Sequence, residues 1–330
     1  MNYAAGYRDS DLHQDPPRPL TAVVNMLDIP GTRFADRTDF IAKQVQEQGD
    51  IFNFTGFNNI SGYPIPIVPN IIHFIRFNQP SLTLMEFICL RSALVRNADA
   101  TVLIHSNTPM TGVHWKELIQ DFGNSSSHPP RLQFVQKEIP QEIFNRKLTW
   151  IQHKSDVARL QILEKFGGIY LDNDVYVVHS LQPYLHFEFS IGWPSIGDQL
   201  LGNQILIGHK NSRFLQKYIA TYKDYRGHLW YYNGGDLPTK AILIPFHELV
   251  HRVELKFGVF ASVWPYWHQY DTIHLLQNHR EFTLDYMNNS DSSALRGDFS
   301  LKDLATSPYA FAEMSRDVWP VLRNRVPGSV

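Results

Sequence analysis

Cysteine is nearly missing from this chain. Cys89 is the only one in 330 residues, so no intrachain disulfide can form. It lies in the apolar run Phe87-Ile88-Cys89-Leu90, which suits a buried structural thiol better than a nucleophile. An excess of one charge is missing too. Lys and Arg number 30 against 32 Asp and Glu, a net charge of −2. That balance excludes an electrostatic grip on nucleic acid or on an anionic membrane as the main business. No apolar run approaches the roughly 18 residues that a bilayer crossing needs. Residues 1–20 carry charges and three prolines where a signal peptide would carry an apolar core. As written, the chain reads as soluble. Four Asn-x-Ser/Thr sites, at Asn53, Asn59, Asn124 and Asn288, are the counter-signal, of the kind lumenal proteins carry.

What is abundant is apolar and aromatic. The apolar share of 43% against 19% charged residues supports a full core and excludes a disordered chain. Aromatic residues make up 13%: 21 Phe, 15 Tyr and 7 Trp. Such rings suit the flat faces of sugars and bases, and equally any core.

Residues 1–66 read as an N-terminal extension, polar and proline-rich, with one short helix over 37–48. Residues 67–330 read as one α/β domain. Its opening pattern is a buried strand over 70–75, a helix over 81–97 and a buried strand over 100–105, with a third strand over 132–135. Strands of this kind, separated by helices, point to a mostly parallel sheet.

The most informative stretch runs from His153 to Tyr176. Ser155 is a natural N-cap for a helix, and Gly167-Gly168 stops it, since glycine enters the left-handed region cheaply. A strand over 169–176 would then put Tyr170, Asp172 and Asp174 on one side. Two carboxylates at the tip of a buried strand repel each other unless a cation sits between them. A hard divalent metal with a phosphate beyond it is the natural partner. Asp156 and Arg159, at i and i+3, share the first turn of the preceding helix. They form either a surface ion pair or a sugar- and diphosphate-binding pair beside the strand tip.

The whole string, Ser155-Asp156-x-x-Arg159 followed by Gly167-Gly168-x-Tyr170-x-Asp172-Asn173-Asp174, resembles the DXD sugar-binding region of glycosyltransferase family 32. That family includes α-1,4-galactosyltransferases, α-1,4-N-acetylglucosaminyltransferases and fungal α-1,6-mannosyltransferases. Further segments are similar in order: Pro69-Asn70-Ile71-Ile72-His73, the strand beginning at Asn203, the Gly234-Gly235-Asp236 turn, and an aromatic segment over 260–267. The resemblance spans about 69–270. It implies a GT-A fold and a retaining hexosyltransferase with Mn²⁺ or Mg²⁺ as cofactor. The donor would be UDP-galactose or UDP-N-acetylglucosamine in preference to GDP-mannose, the acceptor a carbohydrate or glycolipid, and the address the Golgi lumen. It assigns the metal to Asp174, with Asp172 in its water shell, and catalytic donor contacts to Asp156 and Arg159. His73, Phe74, Tyr170, Asn173, Asn203, Gly235, Asp236, Trp264 and Trp267 are the substrate-binding candidates, with Phe74 and Trp150 as platforms for the base.

The family's His-x-Trp segment has its best counterpart at 309–314, which holds neither residue and offers only Glu313 as a third metal ligand. That departure leaves open an inactive, binding-only relative. The apolar strand that runs into Asp172-Asn173-Asp174-Val175 also fits a HAD-like phosphohydrolase with Asp172 as nucleophile and Asp174 as acid/base. His247 and His251, at i and i+4, could hold zinc on a helix.

Overall fold

The computed structural model describes residues 54, 58–123, 131–194, 200–276 and 301–323. Most of the expected 1–66 extension, the helix over 37–48 included, lies outside the described residues, as do Asn53, Asn124 and Asn288. In chain order the main elements are β1 (Ile71–Arg76), α1 (Leu84–Arg96), β2 (Thr101–Ser106), α2 (Val113–Leu118), β3 (Leu132–Gln136), β4 (Glu142–Ile143) and β5 (Arg146–Lys147). Then come α3 (Ile151–Phe166), β6 (Gly168–Leu171), β7 (Val175–Val177), β8 (Phe189–Gly192), β9 (Gly202–Gly208) and α4 (Arg213–Thr221). The last are β10 (His251–Val253), β11 (Phe257–Gly258), β12 (Thr272–His274), α5 (Leu301–Thr306), α6 (Ala310–Val318) and α7 (Pro320–Arg323).

Seven strands form the central sheet, in the order β10-β8-β9-β6-β1-β2-β3. The pairs β1/β2, β2/β3, β1/β6 and β8/β10 are parallel, and β9 runs antiparallel to both β6 and β8. The fold is therefore mixed α/β on a mostly parallel sheet, as the alternation of strands and helices predicts. The strands alternate between two apolar layers. Ile72, Phe74, Ile169 and Leu171 face a layer with α1 and α6, whereas Ile75, Tyr170 and Leu206 face a layer with α3 and α4. Burial on both faces explains why β1 and β2 read as continuous apolar runs rather than alternating ones.

Helix α1 begins later than the apolar spacing implies. Thr83 caps it in a full capping box with Glu86, so residues 81–83 stay outside. Helix α3 begins earlier, at Ile151 after Trp150, which places Ser155 inside the helix rather than at its cap. The largest revision concerns the expected strand over 169–176. It is two strands, β6 and β7, which belong to different sheets and are joined by Asp172-Asn173-Asp174. Among the described residues, no helix is long and apolar enough to cross a membrane.

Candidate active site

Two glycines set the geometry. Gly167 and Gly168 take φ of +66° and +106° between α3 and β6, a region costly for any residue with a Cβ. At Gly168 a Cβ would lie 2.6 Å from the Ile71 carbonyl oxygen. The turn thus lets β6 run tight against β1, and it aims the residue after β6 at the C-terminal end of the parallel strands, where open α/β sheets bind ligands.

Asp172 and Asp174 do not converge by strand alternation, because the strand ends between them. They converge through a turn in which the Val175 amide donates to the Asp172 carbonyl at 3.1 Å and the Asn173 side chain donates to Ile75 O at 2.8 Å. Strand β12 then pairs antiparallel to β7, with His274 opposite Val175, and the Leu275 amide donates to the Asp174 carbonyl at 2.9 Å. This pairing brings His274 Nε2 to 3.2 Å from Asp174 Oδ1. One ligand atom each from Asp172, Asp174 and His274 lies within 4.8 Å of the others. Two carboxylate oxygens and one imidazole nitrogen suit a divalent ion of the Mn²⁺ or Mg²⁺ kind, so the donor set fits a metal.

His274 is the residue that sequence reasoning missed. The sequence left the third ligand open, with only Glu313 on offer within 309–314; that stretch is largely helix α6 packed on the core, and Glu313 accepts a 3.4 Å bond from Trp267 Nε1. The available signal was a histidine set within the apolar stretch Ile273-His274-Leu275-Leu276 just after the aromatic segment. Trp264 corrects a second expectation. It is 2% exposed and lies in the core, so it offers no sugar platform. Its indole N–H donates to the His274 carbonyl at 3.2 Å, which steadies the strand end that carries the imidazole.

Arg159 ties the helix to the turn. It is buried against Tyr170, its guanidinium centred 4.5 Å from the ring centroid. Its Nη2 lies 3.1 Å from Asp156 Oδ1, and its Nη1 lies 3.3 Å from Asp172 Oδ1 and donates to Asn203 O at 2.7 Å. Burial alone would depress this guanidinium, but Asp172, Tyr170 and Asp156 outweigh it and hold its proton more firmly than usual. Burial raises the Asp172 carboxyl, with Asp174 adding to the rise and Arg159 opposing it. For His274, burial favours the neutral ring, yet Asp174 beside it more than compensates and the pKa is raised. The Tyr170 hydroxyl donates to Asp172 Oδ1 at 2.6 Å, and Asn203 Nδ2 donates to Asp156 Oδ1 at 2.9 Å. Tyr170, Asn173 and Asn203 thus brace the acidic groups.

Other expected substrate contacts fall elsewhere. His73 is wholly buried, with Nδ1 3.0 Å from His105 Nε2 and Nε2 3.0 Å from Gly167 O. Both ring nitrogens are engaged beneath the glycine turn and neither reaches a ligand. Phe74 is 1% exposed in the core layer, with no face free for a base. Gly235 is buried under Tyr231, where a Cβ would meet the ring at 2.0 Å. Asp236 pairs with Lys240 at 2.6 Å. Trp267 is half-buried and stands edge-on to Tyr176. Trp150 lies at the start of α3 beside Gly227 rather than among the acidic groups. His247 and His251 fall on a short turn and on β10, and His251 stacks on Phe187, so they share no helix face. Asn59 is buried, its side chain bonded to Glu248 O and the Glu188 amide, which closes it to modification in the folded chain.

Comparison with known proteins supplies the context. The chain is 27% identical over 219 residues to "Glucan organizing enzyme 1" of Cryptococcus neoformans var. grubii, a match covering 61% of this chain and 56% of the relative. It is 28% identical over 164 residues to an uncharacterised protein of Arabidopsis thaliana, covering 46% of this chain and 24% of that one. The chain therefore spans about half or less of the length of these curated relatives. A galactosyltransferase solved with donor and acceptor sugar analogues is 15% identical, with a TM-score of 0.41, covering 74% of this chain and 99% of that one. The family model described as "Glycosyltransferase sugar-binding region containing DXD motif" matches residues 89–192. The stretch that carries Asp156, Arg159, Asp172 and Asp174 thus falls inside the match to that model.

Proposed function

We propose that the chain is a metal-dependent, retaining glycosyltransferase, with residues 67–330 as a GT-A-type domain. It moves a hexose from a nucleotide-sugar, UDP-galactose or UDP-N-acetylglucosamine in preference to GDP-mannose, to a glycan or glycolipid acceptor. The Golgi lumen is the address in keeping with the family resemblance. The observation that carries this reading is the meeting of Asp172, Asp174 and His274 within 4.8 Å, the two carboxylates lying inside the matched region 89–192.

Asp174, Asp172 and His274 would hold Mn²⁺ or Mg²⁺, which when bound neutralises the diphosphate leaving group as the glycosidic bond breaks. The remaining roles belong to the chain. Arg159 fixes Asp156 and Asp172 relative to each other, so that two acceptor-rich carboxylates from different elements present one surface to donor hydroxyls. Asn203 holds the Asp156 carboxylate and Tyr170 the Asp172 carboxylate, each in one orientation. The retaining course needs no protein nucleophile if the diphosphate oxygen assists attack from the same face.

The test is donor hydrolysis and transfer with Mn²⁺ across a panel of UDP- and GDP-sugars. Donor turnover that needs metal and is lost in Asp174→Asn supports the proposal. Metal-dependent donor binding with no turnover under any acceptor would mark a binding-only relative. Phosphate release from simple phosphomonoesters, with no affinity for nucleotide-sugars, would favour the hydrolase reading.

A further inference from the structure

A second polar cluster, unused by the acidic site, lies at the start of the same helix. Where the β4–β5 hairpin meets Trp150 and the loop 225–228, a cavity of about 630 Å³ opens, within the size range of small-ligand sites. Arg146, Lys147, Trp150, Tyr225 and His228 line it. Arg146 and Lys147 are exposed, and among the described residues no carboxylate lies within 4.0 Å of either cation. Glu142 faces Lys147 across the hairpin without reaching it. Asp224, whose carboxylate feels the Arg146 charge, is already taken by Arg226 at 2.9 Å and by the Tyr232 hydroxyl at 2.7 Å.

Lys154, one turn into α3, adds a cation that is 7% exposed and donates only to the neutral amide oxygen of Gln141, at 2.8 Å. Burial lowers its pKa and the neighbouring Lys147 lowers it further. A buried ammonium beside a second cation, with no carboxylate in reach, leaves an excess of positive charge in a chain of net charge −2. The Trp150 indole N–H donates to Gly227 O at 2.8 Å, which fixes the ring at the cavity wall.

The cavity lining and the acidic site draw on the same two stretches of chain. Trp150 precedes Asp156 by six residues, about 9 Å along a helix axis. The segment that supplies Tyr225 and His228 also supplies Gly234, where a Cβ would stand 3.4 Å from Asp156 Oδ2. His153 ties helix α3 to that segment, with Nδ1 2.7 Å from the Tyr225 hydroxyl and Nε2 3.0 Å from Trp230 O.

We propose that this cavity is an acceptor subsite for an anionic glycan, in which Arg146 and Lys147 hold a carboxylate or phosphate group and Trp150 supports a sugar ring. The inference rests on the transferase reading for the word acceptor, and on the cavity alone for anionic glycan binding. Charge-assisted pairing to two cations gives the anion its preference over a neutral sugar.

The full chain, without donor, is titrated by calorimetry with three oligosaccharides: one ending in glucuronate, one ending in a hexose 6-phosphate, and their neutral parent. An anionic ligand binds about tenfold or more tightly than the neutral one, and more weakly as salt rises. The source of the charge is named by which of the two binds better. The double substitution Arg146→Gln/Lys147→Gln, at exposed positions, removes the preference while the melting temperature confirms the fold. Equal affinity for neutral and anionic sugars, or an unchanged preference in the double variant, overturns the proposal. Donor hydrolysis by the unaltered chain is assayed separately. Anionic glycan binding without any donor turnover would sink the transferase reading and leave the subsite standing.

Discussion

Arg159 Nη1 stands 3.3 Å from Asp172 Oδ1 while Nη2 of the same guanidinium stands 3.1 Å from Asp156 Oδ1. One buried cation thereby fixes the distance between a helix carboxylate and a turn carboxylate. A planar fork can serve two acids in this way, and a lysine ammonium cannot do so with the same geometry.

Removing that cation should therefore cost stability as well as function. Arg159→Met leaves Asp156 and Asp172 without the cation they share, with only neutral donors remaining, and breaking a buried pair costs about 3–5 kcal/mol. Urea unfolding should show a loss of that size, with Arg159→Lys between the variant and the parent. An Arg159→Met midpoint equal to the parent's would refute the bridging role.

Metal affinity separates His274 from Glu313. His274→Ala and Asp174→Asn should each weaken Mn²⁺ binding about a hundredfold, followed by the electron-spin signal of free Mn²⁺. Glu313→Ala should leave it unchanged, since Glu313 serves Trp267. The reverse pattern would return the third ligand to the C-terminal helix.

Acid sensitivity should come from the buried histidines under the glycine turn. Burial lowers His73 to about 4 from an ordinary 6.5 and also pushes His105 well down, with its neighbour His73 adding to the fall. Above pH 6.5 both are neutral whether the chain is folded or not, and their contribution to stability is complete. Below 6.5 the unfolded chain takes up protons that the folded chain refuses, so stability falls until about pH 4 is reached. His73 contributes a slope of up to about 1.4 kcal/mol per pH unit inside that window, and His105 acts in the same direction. Unfolding free energies measured from pH 7 to pH 4 should show the decline, and His105→Gln should flatten it. A flat profile in the parent would contradict the burial argument.

Gly168→Ala tests the turn. The new Cβ would meet the Ile71 carbonyl at 2.6 Å with φ at +106°. A loss of about 1–3 kcal/mol follows from strained backbone alone, and the β6 shift should also lower Mn²⁺ affinity. Melting curves and the Mn²⁺ titration read the two effects separately. A stable variant with parental metal binding would show that the close β1–β6 approach is dispensable.

Much of this was legible from local pattern. The strand-helix-strand opening, the Gly-Gly stop and the pairing of Asp156 with Arg159 depend on residues within a few positions of each other, and period and turn chemistry act over that range. Aromatic richness was ambiguous for the opposite reason. Whether Trp264 or Phe74 meets a sugar or a core depends on what packs against it, and both are core.

The sequence by itself determined an α/β chain with an Asp-x-Asp pair at the end of a buried strand, because hydrophobic period and glycine placement are local properties. Only the tertiary structure decided that His274, a hundred residues beyond Asp174, completes the acidic cluster. The decisive event is the antiparallel pairing of β12 with β7, which sets His274 opposite Val175. Register between distant strands is set by the burial of both, not by any signal within either. The single cysteine needed no such help: Cys89 is buried in α1, packed into the core as its apolar neighbours imply.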